Sequence, residues 1–328
     1  MTLTHRMKYL GIFLSLWLAA CSEVQKSPLQ QTEHSAIGTV AAAIASGPKL
    51  AAVSSLTSGV VVWDLTNHNA KFRISQQQPT DNFISHLAFS YQGDFLLSAD
   101  SKSFSLWRMS DGQNVGFWSL PESTVRDIAV SQGGNHLLIG QNDGKVLHVT
   151  LKSGRRLEFL GHTEKVNSVA ISPNGRYALS GGNDLKAYLW DTKSGQIIQS
   201  FVHPTRVTKV ALDLTGQFAF TADSQQQATV WDLKTGRAKL QLEMGRGRVF
   251  TTARFSDDGR YLLTGAASRR ATIWDLTTGQ IVEDFLVSPF PHTRSASAVV
   301  YDIAFIAPNR ILTESSSGQA EEWEFNYE

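Results

Sequence analysis

The sequence predicts an all-β fold made of seven copies of one four-stranded unit joined in a closed ring. Three observations predict it. An apolar-Trp-Asp landmark returns at a nearly constant interval, glycine-bearing turns return in step with it, and the first strand of each unit carries the same break in its apolar rhythm.

The landmark is clearest in Val60-Val61-Val62-Trp63-Asp64-Leu65, Ala187-Tyr188-Leu189-Trp190-Asp191-Thr192, Ala228-Thr229-Val230-Trp231-Asp232-Leu233 and Ala271-Thr272-Ile273-Trp274-Asp275-Leu276. Trp107-Arg108 and Trp323-Glu324 are weaker copies. A seventh copy has lost its indole: 145–154 aligns with 186–195 and puts Val149 where Trp190 stands. Landmarks at 63, 107, 149, 190, 231, 274 and 323 are spaced 44, 42, 41, 41, 43 and 49 residues apart. That is the period of a four-stranded propeller blade.

Turn chemistry supports the same period. Pro173-Asn174-Gly175-Arg176, Asp257-Asp258-Gly259-Arg260 and Thr215-Gly216-Gln217 each separate two apolar runs, as a tight hairpin requires. A second turn follows the landmark in Lys193-Ser194-Gly195, Lys234-Thr235-Gly236, Thr277-Thr278-Gly279 and Ser110-Asp111-Gly112. Glycine supplies the positive φ that other residues resist. In the first strands, Val166, Val169 and Ile171 are apolar, as are Ile84, Leu87 and Phe89, then Val125, Ile128 and Val130, Val207, Val210 and Leu212, and Val300, Ile303 and Phe305. Spacing of three then two breaks strict alternation once, which predicts a β-bulge at one fixed place per unit.

These motifs resemble the WD-repeat β-propeller family over nearly all of residues 28–328. The resemblance implies blades of four antiparallel strands around a central channel, in a ring closed by an N-terminal segment that completes the last blade. The sequence agrees with such a closure. Residues 323–328 stand at a third strand, which leaves the seventh unit one strand short, and 29–34 aligns with 198–203, the strand that elsewhere follows the landmark. Joining the two would remove an open sheet edge.

The first twenty residues differ from the rest. Arg6 and Lys8 precede an apolar run at 10–20, the pattern of a secretory signal. The run is too short for a membrane span, which needs roughly 20 residues. Its end, Leu18-Ala19-Ala20-Cys21, resembles the lipobox of bacterial lipoproteins. That resemblance implies cleavage before Cys21 and lipid attachment at Cys21, with 21–27 as a tether and 28–328 as the propeller. Ser22 in place of an aspartate implies the outer membrane, facing the periplasm. Cys21 is the sole cysteine, so an intrachain disulfide and a cysteine-based metal site are both excluded. The 30 basic and 29 acidic residues lose only Arg6 and Lys8 on cleavage, a balance that gives no reason to expect nucleic acid.

In the fourth unit, His162, Ser180, Asp184 and Trp190 have the composition of a hydrolytic triad. Resemblance to the family instead implies a structural relay from indole through hydroxyl and imidazole to carboxylate. The neighbouring units favour the relay: His203 and Thr221 recur with Gln225 at the acid position, and Thr264 recurs with Ser268 and no histidine. No Gly-x-Ser-x-Gly elbow, His-Glu-x-x-His pair or phosphate-binding glycine loop occurs. His68, His86, His136 and His148 read as scattered surface or strand residues. No enzyme activity, cofactor or metal is expected.

Carrying the family's binding positions over gives Lys165, Asn167 and Asn183 in the fourth unit, Arg126 and Asn142 in the third, and Arg206 in the fifth. Units two and seven offer Phe83 and Tyr301. The implied surface has a basic sector, Arg126, Lys165 and Arg206, beside an aromatic one, and would suit an acidic partner segment with apolar anchors. The competing reading is that these are solvated rim residues. Extra residues in 285–298, including Ser288-Pro289-Phe290-Pro291, predict a protruding loop that helps select the partner. The expected function is a membrane-anchored, non-catalytic scaffold for protein partners. The alternative is a small-molecule or glycan module at the channel mouth.

Overall fold

The computed structural model describes residues 26–46, 49–76, 83–225, 227–243, 245, 249–290 and 296–326. Twenty-eight strands form seven four-stranded antiparallel sheets, the blades of a propeller. Blades one to six are consecutive, at 41–74, 86–119, 125–159, 166–202, 207–243 and 250–286. Blade seven takes Val300–Ala307, Arg310–Ser315 and Gln319–Glu324 and borrows Gln30–Glu33 as its outer strand. The first strand of each blade packs against the first strands of both neighbours, so the seven together line a channel. The leading face carries the loops into the first strands and the turns between second and third strands. The trailing face carries the remaining turns.

A single blade cannot bury both faces of its sheet, so the core lies between blades. Trp190, fully buried, stacks on Phe159 of the preceding blade with ring centroids 4.5 Å apart. Trp231 meets Phe201 at 4.6 Å and Trp323 meets Phe285 at 5.0 Å in the same relation. Such pairs add about 0.5–1.5 kcal/mol beyond the area they bury. The aspartate after the indole is a turn device: Asp191 accepts from the N–H groups of Lys193 and Ser194 at 2.8 and 2.9 Å and from Arg176 Nε at 2.7 Å. The Arg176 guanidinium and those N–H groups hold its carboxyl at about 2. Asp275 makes the same bonds to Thr277 and Thr278.

The bulge expected from the first-strand rhythm occurs in five blades, between Val125 and Asp127, Val166 and Ser168, Val207 and Lys209, Phe250 and Thr252, and Val300 and Asp302. Blade two differs, because its strand His86–Phe89 pairs in regular register and Ile84 lies before it.

The ring closes at the seventh blade. Gln30–Glu33 pairs antiparallel with Gln319–Glu324, and Leu29 N donates to Glu322 O at 2.8 Å. His34 and Ser35 then donate their N–H groups to Gly318 O. Buried polar contacts hold this seam: His34 Nδ1 lies 2.6 Å from Glu314 Oε1 with both side chains fully buried, and Gln31 Nε2 donates to Glu321 Oε1 at 2.7 Å. The insertion before blade seven belongs to the same seam. Ser288 Oγ donates to Glu321 Oε1 at 2.7 Å, and the Phe290 ring covers Gly38, leaving no room there for a Cβ. Of the insertion expected to protrude, 288–290 thus packs on the closure, whereas 291–295, the middle of the expected loop, lie outside the described residues.

Candidate interaction face

The fourth-blade relay is a continuous chain of hydrogen bonds. Trp190 Nε1 donates to Ser180 Oγ at 3.3 Å, Ser180 Oγ lies 2.9 Å from His162 Nε2, and His162 Nδ1 lies 2.9 Å from Asp184 Oδ1. An ionised Asp184 only accepts, so Nδ1 carries the proton and Nε2 accepts from the serine hydroxyl. Burial opposes ionisation of Asp184, yet the bonds from His162 and from the Thr163 and Lys186 N–H groups hold its carboxyl below the usual range. Ser180 is fully buried and already takes the indole proton, so a substrate carbonyl has no path to its oxygen.

Variants of the relay appear in other blades, some beyond what the sequence alignment indicated. In blade five Trp231 and His203 both meet Thr221 Oγ1, at 2.7 and 2.8 Å. The acid beside His203 is Asp223, 3.8 Å from Nδ1, rather than a group at Gln225. Blade two replaces the histidine with an amide: Trp107 donates to Ser98, Ser98 to Gln76 Oε1, Gln76 Nε2 to Ser103, and Ser103 to Asp100 Oδ2. Trp274 and Trp323 keep only the donation to Thr264 and Thr313. In blade one Val53 occupies the hydroxyl position, and His34 instead stacks on Trp63 at 4.4 Å.

Two of the scattered histidines meet. Lys152 N donates to Asn135 Oδ1 at 2.8 Å, so it is Asn135 Nδ2 that donates to His136 Nε2 at 3.2 Å. His136 therefore carries its proton on Nδ1 and donates to His148 Nε2 at 3.1 Å. Burial, then the neighbouring His136 and Arg155, pull His148 from 6.5 down to about 4. Above 6.5 the imidazole is neutral in both the folded and unfolded chain; between 6.5 and 4 only the unfolded chain takes up the proton. Stability should therefore fall as pH is lowered through this window. Denaturant unfolding across it should show that slope, and His148→Gln should reduce it; an identical slope in the variant would refute the assignment. Burial lowers His86, His136 and His203 in the same sense, so some slope remains. Among the described residues no group of three or more His, Cys, Asp or Glu is placed to hold a metal ion.

At the leading face, repeated backbone bonds bring the predicted positions together. Asn142 N donates to Thr124 O, Asn183 N to Lys165 O, and Ser224 N to Arg206 O. Each second turn is thus pinned to the loop that leads into its own blade. Lys165 and Arg206 stand exposed just before the first strands of blades four and five, Arg126 is exposed at the bulged position of blade three that Asn167 holds in blade four, and Asn142 is exposed on the turn pinned to Thr124. None of the three cations has an ion-pair partner among the described residues. Asn167 and Asn183 are committed elsewhere: Asn167 Nδ2 donates to Asn183 Oδ1 and to Val207 O, both at 2.8 Å, and so ties blade four to blade five. Phe83 is 54% exposed. Tyr301 is half-buried at the channel mouth, and burial pushes its phenol up. With blade one between them, Phe83 and Tyr301 form two separate apolar points rather than one sector. The other mouth is bridged, since the Tyr91 hydroxyl of blade two donates to the Asp257 carboxylate of blade six.

Residues 154–191 and 243–275 match the family model of the WD domain, G-beta repeat. Each match starts in or beside the outer strand of one blade and ends with the third strand of the next, so the sequence repeat is staggered against the structural blade. No curated protein matches the chain. The two matches and the seven-bladed ring support the WD-repeat β-propeller family.

Proposed function

We propose that this WD-repeat propeller is a non-catalytic interaction platform held at a bacterial membrane by lipid on Cys21, and that its leading face takes an acidic segment of a protein partner. The observation that carries the partner reading is the row formed by Arg126, Lys165 and Arg206, exposed and without ion-pair partners among the described residues. Rim charges of this kind steer association and select partners of opposite sign.

A photo-reactive side chain at position 165 or 206 should capture a protein adduct in intact cells, whereas one at Lys193 on the trailing face should not. Reversing Lys165 and Arg206 to glutamate should weaken capture by about tenfold or more, because each close charge pair lost costs on the order of 1–2 kcal/mol. Equal capture from both faces would refute this surface.

The anchor rests on the apolar run at 10–20 and the Leu18-Ala19-Ala20-Cys21 motif; Cys21 itself lies outside the described residues. Lys26 is docked on blade six, with Nζ 3.2 Å from Glu283 Oε2. The five residue-to-residue steps from Cys21 to Lys26 span at most about 18 Å. A lipid on Cys21 would hold the rim of blades six and seven near the membrane and turn the basic row on blades three to five away from it. Cys21→Ser should leave an unprocessed precursor without fatty-acid label; normal processing and labelling would refute the anchor.

A further inference from the structure

At the trailing face, five blades place an aromatic ring at the start of the second strand: Phe95, His136, Tyr177, Phe218 and Tyr261. Blades one and seven carry Leu50 and Arg310 there. Four of the five rings rest on the following blade. Phe95 and His136 leave no room for a Cβ at Gly134 and Gly175, and the Phe218 ring comes to 4.0 Å from where a Cβ of Gly259 would stand. Tyr261 is buried against Phe305 of blade seven and Phe325 just after it. Tyr177 is instead 39% exposed, and nothing lies within 4 Å of where a Cβ of Gly216, the matching turn glycine of blade five, would stand. The space left open is a cavity of about 590 Å³ between blades four and five. Tyr177, Leu189 and Ile198 line it from blade four, and Leu212, Gly216 and Leu233 from blade five.

A second group is missing at the same place. In blades four and six an arginine just before the ring reaches the aspartate that follows the indole. Arg176 Nε lies 2.7 Å from Asp191 Oδ2, and Arg260 Nε lies 3.6 Å from Asp275 Oδ2. In blade five that position holds Gln217, and Asp232, on the cavity wall, has no ion pair among the described residues. Its Oδ1 accepts from the Thr235 N–H at 2.9 Å. Asp64 of blade one has no ion pair among the described residues either, so an unpaired aspartate by itself is no signal; its coincidence with an open cavity is. The wall also holds Asp213, which is spent on Thr215 and on the Phe218 N–H. Two carboxylates against the single ammonium of Lys234 leave the lining negative.

We propose that this cavity binds an arylalkylamine, a flat ring joined to an ammonium by a short chain. The ring fills the space over Gly216 that Phe95 and His136 fill at the two preceding junctions. The ammonium brings to Asp232 the positive charge that Arg176 and Arg260 bring to Asp191 and Asp275, through a charge-assisted hydrogen bond. Apolar walls with a few placed polar groups are the usual make-up of a small-molecule site. An acid built on the same ring would meet Asp232 and Asp213 and be repelled.

The test is a titration of the methyl-labelled full chain with 2-phenylethylamine at constant pH and ionic strength, following the Ile198 and Leu233 methyl resonances. A saturable shift of both is expected. It should be weaker by about tenfold or more in Gln217→Arg, which installs the arginine of blades four and six and engages Asp232 from within the chain. Asp232→Asn should show the same loss and covers the case in which the arginine variant does not fold. The anion 3-phenylpropionate should produce no saturable shift. No shift with the amine, equal binding of the acid, or wild-type affinity in either variant would overturn the site. The partner surface lies on the leading face and uses other residues, so failure here leaves that reading intact.

Discussion

A chain that begins at Ser35 is expected to lose the cooperative unfolding transition of the full propeller and to elute as aggregate. Removing 26–34 strips Gln319–Glu324 of its neighbour and exposes an edge on which Glu321 and Trp323 are otherwise fully buried. It also takes His34 from Glu314 and Gln31 from Glu321. Leaving a buried polar group without its partner costs about 1–3 kcal/mol, and more for a charged one. Two buried carboxylates are affected together, and a domain's whole stability is about 5–15 kcal/mol. Size-exclusion chromatography and denaturant unfolding check this, with a peptide spanning 26–36 added in trans as rescue. A monomeric truncated protein with an unchanged midpoint would refute the closure as a source of stability.

The second large effect comes from two glycines of similar backbone conformation. Gly216 has φ +74 and nothing within 4 Å of a built Cβ, whereas Gly318 has φ +83 and its Cβ would lie 1.9 Å from Ser35 O. Gly216→Ala should cost only the conformational penalty of an L-residue in the left-handed region, about 1–2 kcal/mol. Gly318→Ala should cost that and also displace the loop bonded through His34 N and Ser35 N to Gly318 O. An additional loss of about 3 kcal/mol is expected, in the range of disrupted buried networks. Equal unfolding midpoints for the two variants would show that the seam tolerates displacement.

These effects mark the boundary between what was legible in the sequence and what was not. The blade period, the turn glycines, the bulges at Val125, Val166, Val207 and Val300, and the partners of Trp190 all lie within one repeat. Comparison among copies exposes such features because each copy solves the same local problem. Closure by 29–34 was legible for a related reason: six units display the outer strand that the seventh lacks. The candidate face was legible as positions, but that Asn167 is spent on joining blades, and that Phe83 and Tyr301 stand apart, was not.

Sequence alone determined the fold class, the number of blades and the direction in which the ring closes, because hydrophobic period and turn chemistry act over tens of residues. Only the tertiary structure decided the pairing of His34 with Glu314, the amide of Gln76 in a histidine's place, the proton order of His136 and His148, and the approach of Lys209 to Asp127. Each of these depends on partners from another blade or another strand of the same sheet. A repeat pattern records which residue departs from the consensus, but the energy of the departure depends on a neighbour that the linear sequence does not place beside it.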